Sequence, residues 1–315
     1  MKNKTKIIIV LLSFFMLTGC TTYLKVDKKA VKYEKTGQTL TKNILCKPED
    51  EEILKLYEDY NKSVDKEKQI NLEELPSCDE MKLTGKYEGI WTNVFVKPLA
   101  IVIVQIGKLF KSYGLSLIVI TILIRLIVYP LTGKAAKQTQ NMQKAKPELD
   151  RLEKKYKNRT DQEAMMQKSQ EMMLIYKKYN INPMSGCLFS FIQIPLFFAF
   201  YEAISRIPVI FEETFLGFQL GTSPLTAVFA GHYQYLIFIV LIAGATYYSF
   251  SLNMKTQAMS SDQEKQMKQM NLFMVVFMTF ASFSISSGIA IYWVTSNIFT
   301  IAQNLIMKRG SKNVK

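Results

Sequence analysis

The residue least at home in its surroundings is Arg125, the single charge in the run YGLSLIVITILIRLIVYPLT at 113–132. A guanidinium at mid-membrane depth costs about 2.5–3.5 kcal/mol even on the lenient insertion scale, so it demands water or a partner. Thr121, Tyr129 and Thr132 share its face at helical spacing, and the other faces are Ile, Leu and Val. Two readings stand side by side: a fixed cation in a wet cavity, able to attract an anionic group, or a side chain that snorkels the roughly 10 Å to the headgroups near Thr132. Matching polar positions occur at Gln193, beside Pro195, and at Ser296, Asn297, Thr300 and Gln303, which trail Trp293. Polar stripes on several spans can line one hydrated cavity. They can equally be interhelical hydrogen bonds, which average only about 0.6 kcal/mol per pair. Glu202 is an isolated acid near the end of an apolar run, and no HExxH, GxSxG, phosphate loop or strand followed by GxGxxG is present. With one histidine, His232, and no CxxC pair, nothing suggests a metal or another cofactor. The chemistry on offer is electrostatic binding, not catalysis.

Cysteines add two features. The start, MKNKTKIIIVLLSFFMLTGC, has basic residues, a short apolar core and Leu17-Thr18-Gly19-Cys20, the layout of a signal peptide over 1–19 whose last residues resemble a bacterial lipobox. That implies a fatty-acylated Cys20 as the mature N-terminus. The alternative, an uncleaved anchor, suffers from a core too short to cross about 30 Å at 1.5 Å per residue. Cys46 and Cys78 lie in the following charged segment, where they either pair in an oxidising compartment or remain two free thiols.

These residues need positioning elements, and 49% hydrophobic composition with long uncharged runs points to membrane spans. Residues 20–90, rich in Lys and Glu, read as an external, partly disordered tether with a helix from Pro48 through Tyr60. Residues 91–112, interrupted by Lys97, Lys108 and Lys111, read as an interfacial amphipathic helix, with a true span as the weaker option. Spans follow at 113–132, 185–206, 233–253, 269–285 and 288–307, the last two separated by Ser286-Ser287-Gly288. Between the first two, 133–184 reads as a charged helical hairpin broken near Pro147 and Lys157–Asp161. Met165, Met166, Met172, Met173 and Tyr176 lie near one stripe there, a packing face or a binding face. Met267, Met270, Met274 and Met278 recur at helical spacing into the fourth span, again as core packing or as an adaptable apolar surface. Charge orients the set. The hairpin holds 12 basic residues within 133–180, loop 254–268 three and the tail 308–315 four, whereas loop 207–232 and the turn before the last span hold none. Basic loops stay cytoplasmic, so the tether and loop 207–232 are expected outside and the C-terminus inside.

Three stretches carry a family resemblance: YGLSLIVITILIRLIVYPLT with Arg125; NPMSGCLFSFIQIPLFFAFYEAI with Gly186, Cys187, Gln193 and Pro195; and SSGIAIYWVTSNIFTIAQ with Gly288, Tyr292, Trp293, Ser296 and Asn297. Over about 87–307 the chain resembles the YidC/Oxa/Alb membrane insertases in the lipoprotein form of Gram-positive bacteria. The resemblance implies an all-α integral membrane protein: five transmembrane helices around a hydrophilic groove, a cytoplasmic helical hairpin and an external interfacial helix. It also implies insertion and folding of newly made membrane proteins, alone or with the Sec translocon, in a bacterial cell membrane. The client-binding groove would then comprise Arg125, Thr121, Gln193, Trp293, Ser296, Asn297 and Thr300. Relatives often carry a proline in the turn that here reads Ser-Ser-Gly, the tether is longer than in many of them, and the short tail implies at most weak ribosome tethering. DNA is not an expected partner. The rivals are a small-solute transporter or channel using Arg125 as an anion site, and a lipoprotein scaffold in which Arg125 is dispensable.

Overall fold

The computed structural model describes residues 21–84, 87–159, 161–182, 185–256 and 261–312. The expected signal peptide 1–19 and Cys20 lie outside the described residues, as do the side chains of Thr132, Gly186 and Cys187. In chain order the elements are β1 (Lys25–Val26), β2 (Lys29–Ala30), α1 (Glu51–Ser63), α2 (Lys97–Phe110), α3 (Tyr113–Tyr156), α4 (Gln162–Lys178), α5 (Ser185–Arg206), α6 (Pro208–Glu212), β3 (Thr214–Phe215), β4 (Phe218–Gln219), α7 (Pro224–Phe229), α8 (Leu236–Thr256), α9 (Ser261–Ser282) and α10 (Ser287–Lys312). Apart from two short strand pairs this is the expected all-α architecture. Two compact units divide it: one holds the chain up to Thr121, Leu196–Ile239 and Ser282–Trp293, and the other holds Ile122–Pro195, Val240–Ala281 and Val294 onward.

In the first unit, residues 21–84 are better ordered than their composition implies, which corrects the picture of a partly disordered tether. β1 and β2 pair antiparallel, Lys25 opposite Ala30, around Asp27 and Lys28 in left-handed backbone, as a two-residue hairpin turn requires. Asp50 caps α1 by accepting from the backbone N–H of Glu52 and Ile53. One face of α1, Ile53, Tyr57 and Tyr60, packs on Leu24, Tyr33, Leu40, Ile44 and the distant Phe211. Tyrosine bodies supply the apolar mass that an aliphatic count misses, and the Tyr57 hydroxyl donates to Thr41 O at 2.7 Å. Cys46 and Cys78 are joined as a disulfide in this structure.

This small domain grips helix ends of the same unit. Leu45 N donates to Arg206 O at 2.9 Å, Thr41 Oγ1 to Ser205 O at 2.8 Å, and Arg206 Nε to Asn43 O at 2.6 Å. Arg206, 1% exposed, also meets Glu88 and lies 3.7 Å from Glu202, whose other oxygen accepts from Trp91 Nε1 at 3.0 Å. The stretch leading into α2 is tied to the end of α5 through Trp91 and Thr92, and the end of α2 to the N-terminal domain, where Lys108 pairs with Asp79 and Gln105 donates to Asp79 O. Gly107 closes that end, because a Cβ there would run into the Tyr113 ring. Glu213 accepts from Tyr113 N and Ser112 Oγ, placing a carboxylate at the N-terminus of α3. The turn before α10 joins the same end: Leu225 N donates to Phe283 O, Ser287 N to Thr222 O and Gly288 N to Leu220 O, each at 2.9 Å.

In the second unit, α3 continues unbroken into the hairpin, so the expected boundary at 132–133 is not a helix end and Pro147 does not end the helix. An interior proline costs about 3 kcal/mol, here offset by packing of Ala145, Leu149, Leu152 and Tyr156 against α4 and Ile181. The Met stripe splits: Met172 packs in the hairpin core with Tyr176, while Met165, Met166 and Met173 are exposed.

By length and composition four described stretches can cross a membrane: Thr92–Phe110, Tyr113–Pro130, Tyr233–Leu252 and Ser287–Ile306. Three coincide with expected spans. The first is the stretch assigned to the interface, and it qualifies because Lys97 and Lys108 sit toward its two ends and leave an uncharged middle. The expected span 185–206 is α5, whereas 269–285 overlaps α9 only as far as Ser282, α9 starting eight residues earlier; each helix is 22 residues long. At 1.5 Å per residue each measures about 33 Å.

Candidate functional site

Arg125 lies in the part of α3 that belongs to the second unit and is 7% exposed. Its Nε donates to Ser296 Oγ at 3.0 Å, and its Nη2 donates to Gln193 Oε1 at 2.6 Å and also to Ser296 Oγ. Three helices thus converge on one guanidinium: α3 supplies the cation, α5 the amide and α10 the hydroxyl. Gln193 and Ser296 are neutral oxygen acceptors, and their hydrogen bonds fix the direction in which the guanidinium points. At low local dielectric such a cation acts at longer reach than it would in water.

Buried polar groups continue along α10 as Asn297, Thr300, Gln303 and Asn304, with Thr300 Oγ1 donating back to Ser296 O at 3.0 Å. Helix α8 adds Thr246 and Ser249, both buried. The same unit presents Leu126, Ile127, Val240, Phe273, Phe277 and Phe280 on its exposed surface, Ile127 being 75% exposed. A soluble protein buries its apolar side chains. Apolar residues outside and an arginine with amides and hydroxyls inside is the arrangement of a helix bundle in lipid whose interior is polar.

Of the residues expected to line a groove, the structure brings Arg125, Gln193 and Ser296 into direct hydrogen bonds and buries Asn297 and Thr300 in the same unit. Thr121 and Trp293 belong to the first unit. There Thr121 Oγ1 donates to Leu117 O of its own helix, and the Trp293 ring stands edge-on to Phe197 at 5.3 Å. Tyr129, placed on the face of Arg125 by spacing, is 41% exposed. Sequence reasoning passed over Thr246 and Ser249; the signal was their three-residue spacing in an otherwise apolar helix, masked by the Tyr247-Tyr248 pair between them. Glu202, considered as an isolated acid, pairs with Arg206 and Trp91 and holds structure together. No group of three His, Cys, Asp or Glu side chains that could hold a metal occurs among the described residues.

Residues 105–314 match the family described as 60Kd inner membrane protein. Membrane protein insertase YidC 2 of Bacillus anthracis is 37% identical over 234 residues, covering 73% of this chain and 87% of that protein. The chain belongs to the YidC/Oxa/Alb membrane insertase family. Within it, a membrane protein insertase YidC of Oceanobacillus iheyensis is 32% identical, covering 75% of this chain and 91% of its own. Membrane protein insertase MisCA of Bacillus subtilis is 33% identical, covering 74% and 86%. A solved structure of an active YidC insertase with its first transmembrane domain resolved shares the fold, with a TM-score of 0.50 and 24% identity. That likeness covers 69% of this chain but 47% of the solved one, so the chain spans under half the length of that protein. Residues 21–84, with their own core, lie outside the family match.

Proposed function

We propose that this chain is an insertase that receives the polar flank of a newly made membrane protein in a hydrated groove at Arg125 and releases its apolar segment into lipid. The observation that carries this reading is the buried guanidinium held by neutral acceptors, Ser296 and Gln193, in a unit whose outer surface is apolar. Its attraction for a client carboxylate at about 4 Å is roughly 1–4 kcal/mol between the bulk-water and near-surface dielectric limits. That is enough to recruit and too little to trap. A membrane potential negative inside then favours outward movement of acidic residues by about 2.3 kcal/mol per charge per 100 mV. Burial of the client's apolar segment in lipid drives the last step, so the cycle runs without a nucleotide.

The proposed topology has five spans, α3, α5, α8, α9 and α10, with the hairpin and C-terminus cytoplasmic. The basic-residue bias supports it, and so does the meeting of the start of α3, the end of α5, loop 207–232 and the turn before α10 at one end of the first unit. Although Thr92–Phe110 is long enough to cross, its start is held to the end of α5 through Thr92 and Arg206, and its end to the 21–84 domain through Lys108 and Asp79. The end of α5 and the 21–84 domain are both external in this topology, and a helix held at both ends on one side lies along the membrane surface, which favours the interfacial placement. Acylation at Cys20 would hold that domain on the outer leaflet. Sec translocon and ribosome are partners in this reading, the ribosome weakly, given the short basic tail.

In vesicles reconstituted with the purified protein, Arg125→Ala is expected to lower insertion of clients with acidic translocated tails roughly tenfold, the effect of about 1.4 kcal/mol. Clients with neutral tails should be nearly unaffected and Arg125→Lys should keep part of the activity. Equal insertion of both client types by the Ala variant would remove the recruiting role. Solute flux through protein-only vesicles, without protease protection of a client, would favour the transporter reading instead.

A further inference from the structure

A concavity lies in the first unit, where the β1–β2 hairpin of the N-terminal domain faces the end of α5, loop 207–232 and the turn before α10. Its volume is about 460 Å³, within the roughly 300–1,000 Å³ of small-molecule sites. Its wall carries Lys25 and Lys32 and no acidic residue, so an anion is favoured there and a cation is not. Hydroxyls line it, among them those of Tyr23 and Tyr201, which bond to each other at 2.9 Å. Gln38 Oε1, also in the wall, is buried with no hydrogen-bond partner. That oxygen packs against Gly221 and has no surface open to the cavity, so the hydroxyls of the wall are the groups a ligand hydroxyl would meet. Ile204, Phe211 and Ile289 add an apolar portion to the wall.

An occupant matching all three features has a phosphate for the lysines, a hydroxyl for the hydroxyl-lined part and a short hydrocarbon part for the apolar wall. We propose that this cavity binds glycerophosphate, either as the headgroup of an anionic phospholipid or as soluble glycerol phosphate. The family match begins at residue 105, so eight of the twenty residues lining this site come from chain outside it. The inference does not depend on the insertase reading, because its test measures binding and not insertion.

The test uses the full-length protein in nanodiscs of phosphatidylcholine, with or without phosphatidylglycerol, and counts retained lipid by native mass spectrometry. Soluble glycerol 3-phosphate is titrated in a parallel arm while amide exchange is followed in 23–41 and 221–226. Two variants accompany the wild type: Lys25→Glu with Lys32→Glu, and Ser284→Trp, which fills the rim from an exposed position and leaves both lysines. The wild type should retain phosphatidylglycerol over phosphatidylcholine by about tenfold or more, and both variants should lose that preference. Protection by soluble glycerol 3-phosphate in discs lacking phosphatidylglycerol, abolished in both variants, would identify the free phosphate as the source. Loss on charge reversal alone, with Ser284→Trp unaffected, would mean surface counterion attraction and overturn the site. No preference in the wild type in either arm would overturn it too.

Discussion

Among the described residues two arginines are buried, Arg125 and Arg206, and they keep different company. Arg206 sits against the carboxylates of Glu88 and Glu202, whereas Arg125 donates to the hydroxyl of Ser296 and the amide of Gln193. The first arrangement is structural. Removing one member of a buried ion pair strands the other and costs about 3–5 kcal/mol, while replacing both with neutral groups of similar shape can be nearly neutral. Arg206→Ala is therefore expected to lower the unfolding midpoint sharply in detergent, and Arg206→Met with Glu202→Gln, which leaves Glu88 to Lys97, to recover part of the loss. If the double variant were as unstable as the single one, the carboxylate would not be what Arg206 serves. Glu212, at the end of α6 outside the spans, makes a pH-dependent contribution. Burial raises its carboxyl from 4.5 to about 7, against the opposing pull of the backbone N–H groups of Asp50 and Glu49. A carboxyl whose folded pKa is raised is favoured in its protonated form by the fold. Its stabilising effect is full below about 4.5 and fades as pH rises through about 7. Amide exchange in α1 should be slower at pH 5 than at pH 8 beyond the intrinsic rate change, and Glu212→Gln should shrink that difference.

At the scale of elements, the 21–84 domain has one helix, two short strands and a core that borrows Phe211 from loop 207–232. Domains this small rarely bury enough apolar surface to be secure alone. The Cys46–Cys78 link closes a loop of sequence separation 32, which in the chain-entropy account is worth about 3–4 kcal/mol. Cys46→Ser with Cys78→Ser should raise exchange throughout 45–63 and leave the α3–α4 hairpin, with its separate core of Leu149, Tyr176 and Ile181, unchanged. Equal loosening in the hairpin would show that the two do not fold independently. The hairpin has a different logic. Its first arm is the uninterrupted continuation of α3, so the element that carries Arg125 also carries Ala145 and Leu149.

For the whole molecule, legibility in the sequence followed the cost of each feature. Arg125 stood out because a charge in an apolar run is expensive wherever it lies, and its partners Gln193 and Ser296 could be named because few polar residues interrupt the other spans. Thr246 and Ser249 cost little singly and were invisible until burial set them apart. The order in 21–84 was hidden for another reason: Leu24, Leu40 and Ile53 gain it from Phe211, and Asn43 and Leu45 from Arg206, contacts more than 150 residues distant in sequence. Local composition holds no record of them. Sidedness is where the charge count and the geometry can be tested together, since the proposed topology puts loop 207–232 outside and the hairpin inside. Phe229 and Met166 are both well exposed and suit single-cysteine labelling in a Cys187→Ser background. In intact cells a membrane-impermeant maleimide should modify Phe229→Cys and leave Met166→Cys untouched until the membrane is permeabilised. Labelling of Met166→Cys in sealed cells would invert the orientation, and with it the direction in which the membrane potential could help an acidic client past Arg125.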